Sequence, residues 1–516
     1  MANTESWTTQ VDEAISDFVD PVASKLGEIV FYEFDIPFAG ASFPWIVGWL
    51  VLAGTVFSIY FGFAQVRHIK LAFRFVRGRY EQKDAPGEVS HFQALTSAVS
   101  GTVGLGNIAG VAIAVTIGGP GATFWMILCG LLGMATKFVE CTLGVKYREV
   151  HADGTVSGGP MHYLRKGMAE RGFNTAGKVL AAGSAFALLF FSFFGGNLFQ
   201  VNQSLEQVRS VTGKDDSVFA SSGGALVFGA LLAVLVALVL IGGMRSIGAV
   251  TGRLVPAMAI IYVGACLVVI LFNVTEVPAA IVTILKGAFA PEGVAGGLIG
   301  ALIQGFRRAA FSNEAGVGSA PIAHAAVKTK RPATEGLVAM IEPFVDTVII
   351  CTMTALTIVI AKTPSWEAAR EAAAEGGAPQ SGVALTSDAF ETALPWFPYV
   401  LAVAVLLFAI STIITWGYYG LKAWTYFFGR SKTSETAFKL LFCLVVVTGA
   451  MMSLGALVDM ADSFIFIAAV FNIIGLYLLA PVVKRELQRV LDYVRRRDAG
   501  ETEEQIEADE ELSLAK

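Results

Sequence analysis

Long apolar runs, separated by short charged segments, make up most of the chain. A helix needs about 20 apolar residues to cross a bilayer core. On that length the sequence predicts an all-α polytopic membrane protein with about eleven spans, near 43–66, 92–117, 120–145, 179–203, 223–243, 254–275, 295–327, 336–361, 396–421, 440–458 and 463–483. Most carry no charge; the third, seventh and eighth do, and the seventh is too long for one straight crossing. Ahead of them, within 1–42, Trp7, Val11, Ile15, Phe18, Val22, Leu26 and Ile29 recur at spacings of three and four. That pattern predicts an amphipathic helix with an acidic outer face. The segment 362–395 and the tail 484–516 read as solvated and charged.

Basic residues between spans orient such a chain, because they stay on the cytoplasmic side. With the amino terminus outside, the internal segments 67–91, 146–178, 244–253, 328–335, 422–439 and 484–516 hold 28 of the 37 Lys and Arg. The external segments hold six. The expected location is the cell membrane, with the carboxyl terminus cytoplasmic and the lipid bilayer as the main partner.

Composition agrees. Charged residues are 15% of the chain, against roughly 25% in an average soluble protein. The 54 glycines suit close helix contacts in lipid. Cys129, Cys141, Cys266, Cys351 and Cys443 all lie in apolar runs without a C-x-x-C pair, and the five histidines are scattered. Neither a transition-metal site nor an enzymatic cofactor is expected, and nothing points to nucleic acid. No basic leader with an apolar core opens the chain.

Two spans share a motif. Ser100-Gly101-Thr102-Val103-Gly104-Leu105-Gly106-Asn107 and Ser312-Asn313-Glu314-Ala315-Gly316-Val317-Gly318-Ser319 align at an offset of 212 as Ser-x-x-x-Gly-x-Gly followed by a small polar residue. With 43–66 set aside as a peripheral span, they are the first helices of two halves of five, 92–275 and 295–483. An odd number per half inverts the second. Paired glycines in inverted halves point to discontinuous helices around a midplane site, where freed N–H groups suit an anion and freed carbonyls a cation. Close helix packing is the other use of such glycines. Gly-Leu-Gly-Asn-Ile-Ala also fits a dinucleotide fingerprint, but it follows no strand and the next acid is Glu140.

The stretch from Gly101 to Glu140, with Gly-Gly-Pro-Gly-Ala, Phe124-Trp125-Met126 and Gly133-Met134-Ala135-Thr136-Lys137-Phe138, closely resembles the alanine/glycine:cation symporter family. Phe311-Ser312-Asn313-Glu314-Ala315-Gly316 and Gly196-Asn197-Leu198-Phe199-Gln200 look like its other signatures, and the likeness runs from 43 to 483. It implies a LeuT-type fold of one additional span and a ten-helix core, and uptake of alanine or glycine driven by Na+ or protons. Val103-Gly104-Leu105-Gly106-Asn107 is also similar to the first core helix of the neurotransmitter:sodium symporters.

A zwitterionic substrate needs both its charges solvated away from water. Backbone at Gly104, Leu105 and Gly106 can offer N–H groups to its carboxylate, and Asn107 an amide. The resemblance adds Gln200, Asn313 and Thr412, with Trp416 as an aromatic wall; an interhelical contact is the other reading of Gln200. Hard cations prefer oxygen, and in a LeuT-type fold carbonyls near Ser100 and Val103 would join the hydroxyls of Ser411 and Thr412. Helical hydroxyls also bond back to their own backbone. The intact hydroxyls favour Na+ over a proton.

Unpaired charges in a span cost about 2.5–3.5 kcal/mol on insertion scales. Lys137 and Glu140 read as an ion pair or an internal gate. Glu342 and Asp346, four apart, need partners among Arg307, Arg308, Lys328 and Lys330. Glu314 stands beside the second break, able to cap freed N–H groups or hold a proton. Rival classes fit less well: an enzyme needs a cluster of nucleophile, base or ligands at one depth, and two broken helices in an inverted pair suit alternating access better than a channel.

Overall fold

The computed structural model describes residues 21–36, 41–82, 84–290, 297–375, 382–450 and 454–514. Of the expected amphipathic helix, 21–30 is helical, and 1–20 lies outside the described residues. An antiparallel pair, β1 (Glu33–Ile36) and β2 (Ala41–Pro44), precedes α1 (Trp45–Tyr60).

The first core segment is α2 (His91–Thr102), a single turn Leu105–Asn107, and α3 (Ala109–Ile117). Its start is set locally: the Ser90 hydroxyl accepts from Gln93 N–H, and the Gln93 side chain accepts from Ser90 N–H. α4 (Ala122–Lys146) returns across the protein. α5 (Asn174–Phe193) and α6 (Phe199–Val211) are joined through a π-turn, Phe194–Leu198, into one 38-residue helix. α7 (Ser222–Ile241) and α8 (Gly243–Phe272) complete the first half.

In the second half α9 (Leu298–Asn313) ends at Glu314, and a short α10 (Ala320–His324) follows a non-helical stretch. α11 (Pro332–Ala339) runs through a π-helix, Phe344–Cys351, into α12 (Thr352–Ala361). Then come α13 (Gly382–Glu391), α14 (Phe397–Phe428), α15 (Lys432–Gly449) and α16 (Leu454–Asp498). Among the described residues, seven helices are long and apolar enough to cross a membrane, or eight with the bent pair α2 and α3. α1 is short for a crossing at 16 residues, α9 is interrupted, and α15 carries Lys432, Glu435 and Lys439.

Two expected segments differ. The acid-bearing stretch 459–462, read as the link between the last two spans, is helical and inside α16. Asp462 stays buried there because Arg307 (2.7 Å) and Arg308 both pair with it. The segment 362–395 is not merely solvated: Trp366, Val383 and Phe390 are buried, and the Thr386 hydroxyl reaches the Ile108 carbonyl at 3.4 Å. It covers one end of the first broken helix.

α2 packs against α8 and α14, and α4 against α9 and α11. The α4 approach depends on small residues, since a Cβ on Gly133 would lie 2.9 Å from that of Ala315. The ends of the two broken helices on the side of segment 67–90 are tied by a parallel bridge between Val89 and Val327, with Glu88 N–H donating to Ala326 O at 2.7 Å. Arg148 clamps that junction, donating to the carbonyls of Pro86, Ala325, Val327 and Thr329 at 2.5–2.8 Å.

Candidate functional site at the two helix breaks

α2 and the helix after it are bent by 57°. Gly104 stands at the break with φ −136° and ψ −152°, and neither it nor Gly106 has a positive φ. Space is the requirement there. A Cβ on Gly104 would meet Thr412 Oγ1 at 2.5 Å and Gln200 Oε1 at 3.1 Å, while one on Gly106 would meet Phe311 at 3.3 Å. The second break is conformational instead: Glu314 (φ 55°), Gly316 (φ 89°) and Gly318 (φ 89°) are all left-handed, a region glycine enters at little cost.

Side chains hold the backbone that the breaks release. Gly104 N–H donates to Asn107 Oδ1 (2.9 Å) and Leu105 N–H to Gln200 Oε1 (3.1 Å). Gln200 Nε2 donates in turn to the Gly195 carbonyl at 3.0 Å, inside the π-turn. π-Turns recur at functional positions because they re-aim side chains. At the second break Gly318 N–H donates to Glu140 Oε2 (3.1 Å), and Asn472 Nδ2 donates to Glu140 Oε2 (3.0 Å) and the Gly316 carbonyl (2.8 Å). Asn313 accepts from Ala315 N–H and donates to Thr347 Oγ1, both at 3.0 Å.

The expected cation ligands come together in part. The Thr412 hydroxyl donates to the Ser100 carbonyl at 3.1 Å, and the Ser100 hydroxyl to the Ser411 carbonyl at 2.8 Å. Val103, directly before the break, is fully buried. The Ser411 hydroxyl turns away: it donates back to the Phe408 carbonyl at 2.9 Å and lies 3.6 Å from Met258 Sδ. Thr415, not expected from the sequence, donates to the Ser97 carbonyl (3.3 Å) and to Ser100 Oγ (3.1 Å).

Trp416 Nε1 donates to Glu314 Oε1 at 3.1 Å, and the other Glu314 oxygen accepts from the Ser319 hydroxyl. Its ring stands 4.5 Å from Phe191, which stands 5.8 Å from Phe311, itself 5.6 Å from Phe199. The sequence does not single out those three phenylalanines as site residues among its 37.

Both ends of the Asn107 amide are engaged within the protein. Nδ2 donates to Asp346 Oδ1 (2.6 Å), to the Asp346 carbonyl (3.2 Å) and toward Cys351 Sγ (3.3 Å). Asp346 Oδ2 accepts from Ser312 Oγ (2.9 Å) and Thr347 Oγ1 (2.7 Å). One fully buried carboxylate thus joins the two breaks through neutral donors. Lys137 pairs with Glu342 at 2.9 Å and with Glu140 at 3.8 Å.

Three of the four basic partners considered for Glu342 and Asp346 pair elsewhere, and the fourth, Lys328, is exposed. Arg307 and Arg308 take Asp462, and Lys330 takes Glu507 at 2.6 Å. Glu342 and Asp346 take separate partners: Glu342 pairs with Lys137 and faces His324, while Asp346 is held by the neutral donors of Asn107, Ser312 and Thr347. No group of three or more His, Cys, Asp and Glu that could hold a metal occurs among the described residues.

Two broken helices facing each other across a buried polar junction, inside a multi-pass helical protein, define a secondary transporter of the LeuT-type fold. A solved structure, that of MhsT in complex with L-phenylalanine, shares the fold at TM-score 0.52 and 16% identity, covering 77% of this chain and 98% of that one. The profile described as "Sodium:alanine symporter family" matches residues 35–508, and the chain belongs to that family. It is 37% identical over 457 residues to the "Sodium/alanine symporter AgcS" of Methanococcus maripaludis (88% of this chain, 96% of that one). It is 36% identical over 454 residues to the "Amino-acid carrier protein AlsT" of Bacillus subtilis (87% and 90%). It is 33% identical over 456 residues to the "Probable sodium/glutamine symporter GlnT" of the same organism (87% and 88%). The protein is therefore a membrane transporter, not an enzyme, and performs cation-coupled amino-acid symport.

Proposed function

We propose that the protein imports alanine or glycine together with Na+, through eleven crossings in the cell membrane, with its amino terminus outside. The reading rests above all on one juxtaposition: the Ser100 carbonyl meets the Thr412 hydroxyl at 3.1 Å while Leu105 N–H meets Gln200 at 3.1 Å. A candidate cation ligand pair thus lies beside an anion donor of the first helix break. Na+ is held by oxygens of Ser100, Val103 and Thr412, with Ser411 contributing after its hydroxyl rotates away from Phe408.

The substrate carboxylate takes the N–H groups at Leu105 and Gly106, exchanging with the Gln200 amide oxygen. Gly104 leaves room for it, Thr412 touches both cation and substrate, and Asn313 lines the second break. Asn107 positions the break through Asp346. The contacting rings of Trp416, Phe191 and Phe311 form an apolar wall beside the second break, against which the substrate side chain packs. Lys137, Glu140, Glu314, Glu342 and Asp346 hold the two breaks and the inner gate. Family membership supports the cation, and the names of relatives, which include glutamine among substrates, leave the side-chain preference to experiment.

Labelled alanine uptake into proteoliposomes, with Na+ and pH gradients imposed separately, tests this reading. An inward Na+ gradient should drive accumulation. Accumulation driven by a proton gradient without Na+ would replace Na+ with the proton as coupling ion.

A further inference from the structure

Six ionisable side chains form one chain through the protein. Lys137 Nζ lies 3.8 Å from Glu140 and 2.9 Å from Glu342. Glu342 Oε2 faces His324 Nε2 at 3.6 Å, His324 Nδ1 meets Glu335 Oε1 at 2.5 Å, and Glu335 Oε2 meets His91 Nδ1. Five of the side chains are fully buried; that of His91, which opens α2, is 9% exposed and is the one contact of the chain with an outer face. The sequence hides this chain because its members come from α2, α4, α10, α11 and the turn before the π-helix.

The charges do not balance. Three carboxylates face one ammonium, so with neutral histidines two negative charges remain buried. Uncompensated buried charge costs several kcal/mol. Hydrogen bonding is also incomplete: Glu140 Oε1, Glu342 Oε2 and His324 Nε2 lie beyond hydrogen-bond distance of any partner among the described residues. The last two face each other. A neutral His324 that donates from Nδ1 to Glu335 turns a lone pair at Nε2 toward the Glu342 carboxylate, an electrostatic repulsion. One proton on Nε2 converts that contact into a charge-assisted hydrogen bond.

The other titratable or charged groups within electrostatic reach are Cys141 on α4, Tyr163 in the helix Pro160–Glu170, Tyr419 on α14, Asp346 in the π-helix, Glu314 at the second break, and Arg148. Arg148 is committed to four main-chain carbonyls and forms no ion pair with the three carboxylates among the described residues. It leaves the chain's own deficit in place.

We propose that this chain is a proton-binding site, loaded through His91 and holding a proton on His324, whose occupancy locks the inner end of the second broken helix. His324 ends α10, and Glu335 ties it to α2 across the Val89–Val327 bridge. Losing the proton leaves like charges at a three-helix junction and loosens it. The side from which protons come rests on the orientation proposed above; the site itself does not.

Thermal stability of the purified protein, followed from about pH 5.5 to pH 8.5, where histidine titrates, tests the site without any substrate. The wild type should lose stability as pH rises, and His324→Gln should flatten that slope. In proteoliposomes, alanine exchange should accelerate by roughly threefold or more as pH is raised on the His91 side, and His324→Gln should not respond. Folded His324→Gln with wild-type pH profiles in both assays would overturn the proposal. Should His324→Gln not fold, His91→Gln decides: a displaced stability profile supports the site, and an unchanged one overturns it. A wild type without alanine exchange would count against the substrate reading alone, since the stability profile is read independently.

Discussion

Asn107 and Asp346, 239 positions apart in the chain, meet side chain to side chain at 2.6 Å and fasten the first helix break to the π-helix of the second half. Through Ser312, 2.9 Å from the same carboxylate, the second break joins them. Asp346 is thus hydrogen-bonded to residues at both breaks.

Asp346→Ala removes the acceptor of three buried side-chain donors, Asn107, Ser312 and Thr347. Each hydrogen bond to a charged group contributes about 1.5–3 kcal/mol, so a drop in melting temperature and loss of alanine binding are expected together. Asp346→Asn keeps one acceptor for Asn107 and should be the milder change. Thermal melting of both purified variants checks the order.

Thr412→Val removes the hydroxyl facing the Ser100 carbonyl while nearly conserving volume. The Na+ concentration for half-maximal transport should rise roughly tenfold, equivalent to about 1.4 kcal/mol. Ser411→Ala should be weaker, because that hydroxyl already donates to Phe408. Sodium activation curves unchanged in both variants would remove this cation site.

Gly104→Ala sets a methyl 2.5 Å from Thr412 Oγ1 and 3.1 Å from Gln200 Oε1, whereas a methyl at Gly106 meets only the edge of Phe311 at 3.3 Å. Alanine affinity should therefore fall far more in Gly104→Ala than in Gly106→Ala. Gly106→Leu should insert and fold yet fail to bind. Affinity and melting temperature measured together distinguish this from lost helix packing, which would lower stability first.

Orientation is checked by cysteine labelling of intact cells. Glu371, exposed in the helix Pro364–Ala374, should react from outside once replaced by cysteine, and Arg77, exposed in segment 67–90, should not. The reverse pattern would invert the topology and with it the direction of proton loading.

Asp462→Ala would leave Arg307 and Arg308 side by side without their shared acceptor. Removing one member of a buried ion pair costs about 3–5 kcal/mol, so this variant should be among the least stable. Its melting curve against that of Asp462→Asn measures how much of the loss is charge.

Hydropathy and glycine spacing by themselves determined that the chain spans the membrane repeatedly and that two helices break at Gly104 and near Gly316; the fold by name came from the family resemblance. Those features are local: a crossing is a run of apolar residues, and a break is a few residues whose backbone no longer follows the helix. The hydroxyls of Ser411 and Thr412 also stood out, as oxygens in an otherwise apolar helix, whereas the Ser100 carbonyl entered only with the resemblance. What the pairwise chemistry became was decided only in three dimensions. Asn107 reads as a substrate ligand, and in the structure its amide reaches Asp346; Glu342 and Asp346 read as sharing basic partners, whereas Glu342 meets Lys137 and Asp346 meets neutral donors. His91, His324 and Glu335 read as unrelated until α2, α10 and α11 bring them together. Buried polar groups choose partners by geometry across helices, and no spacing along the chain encodes which of several distant donors will arrive.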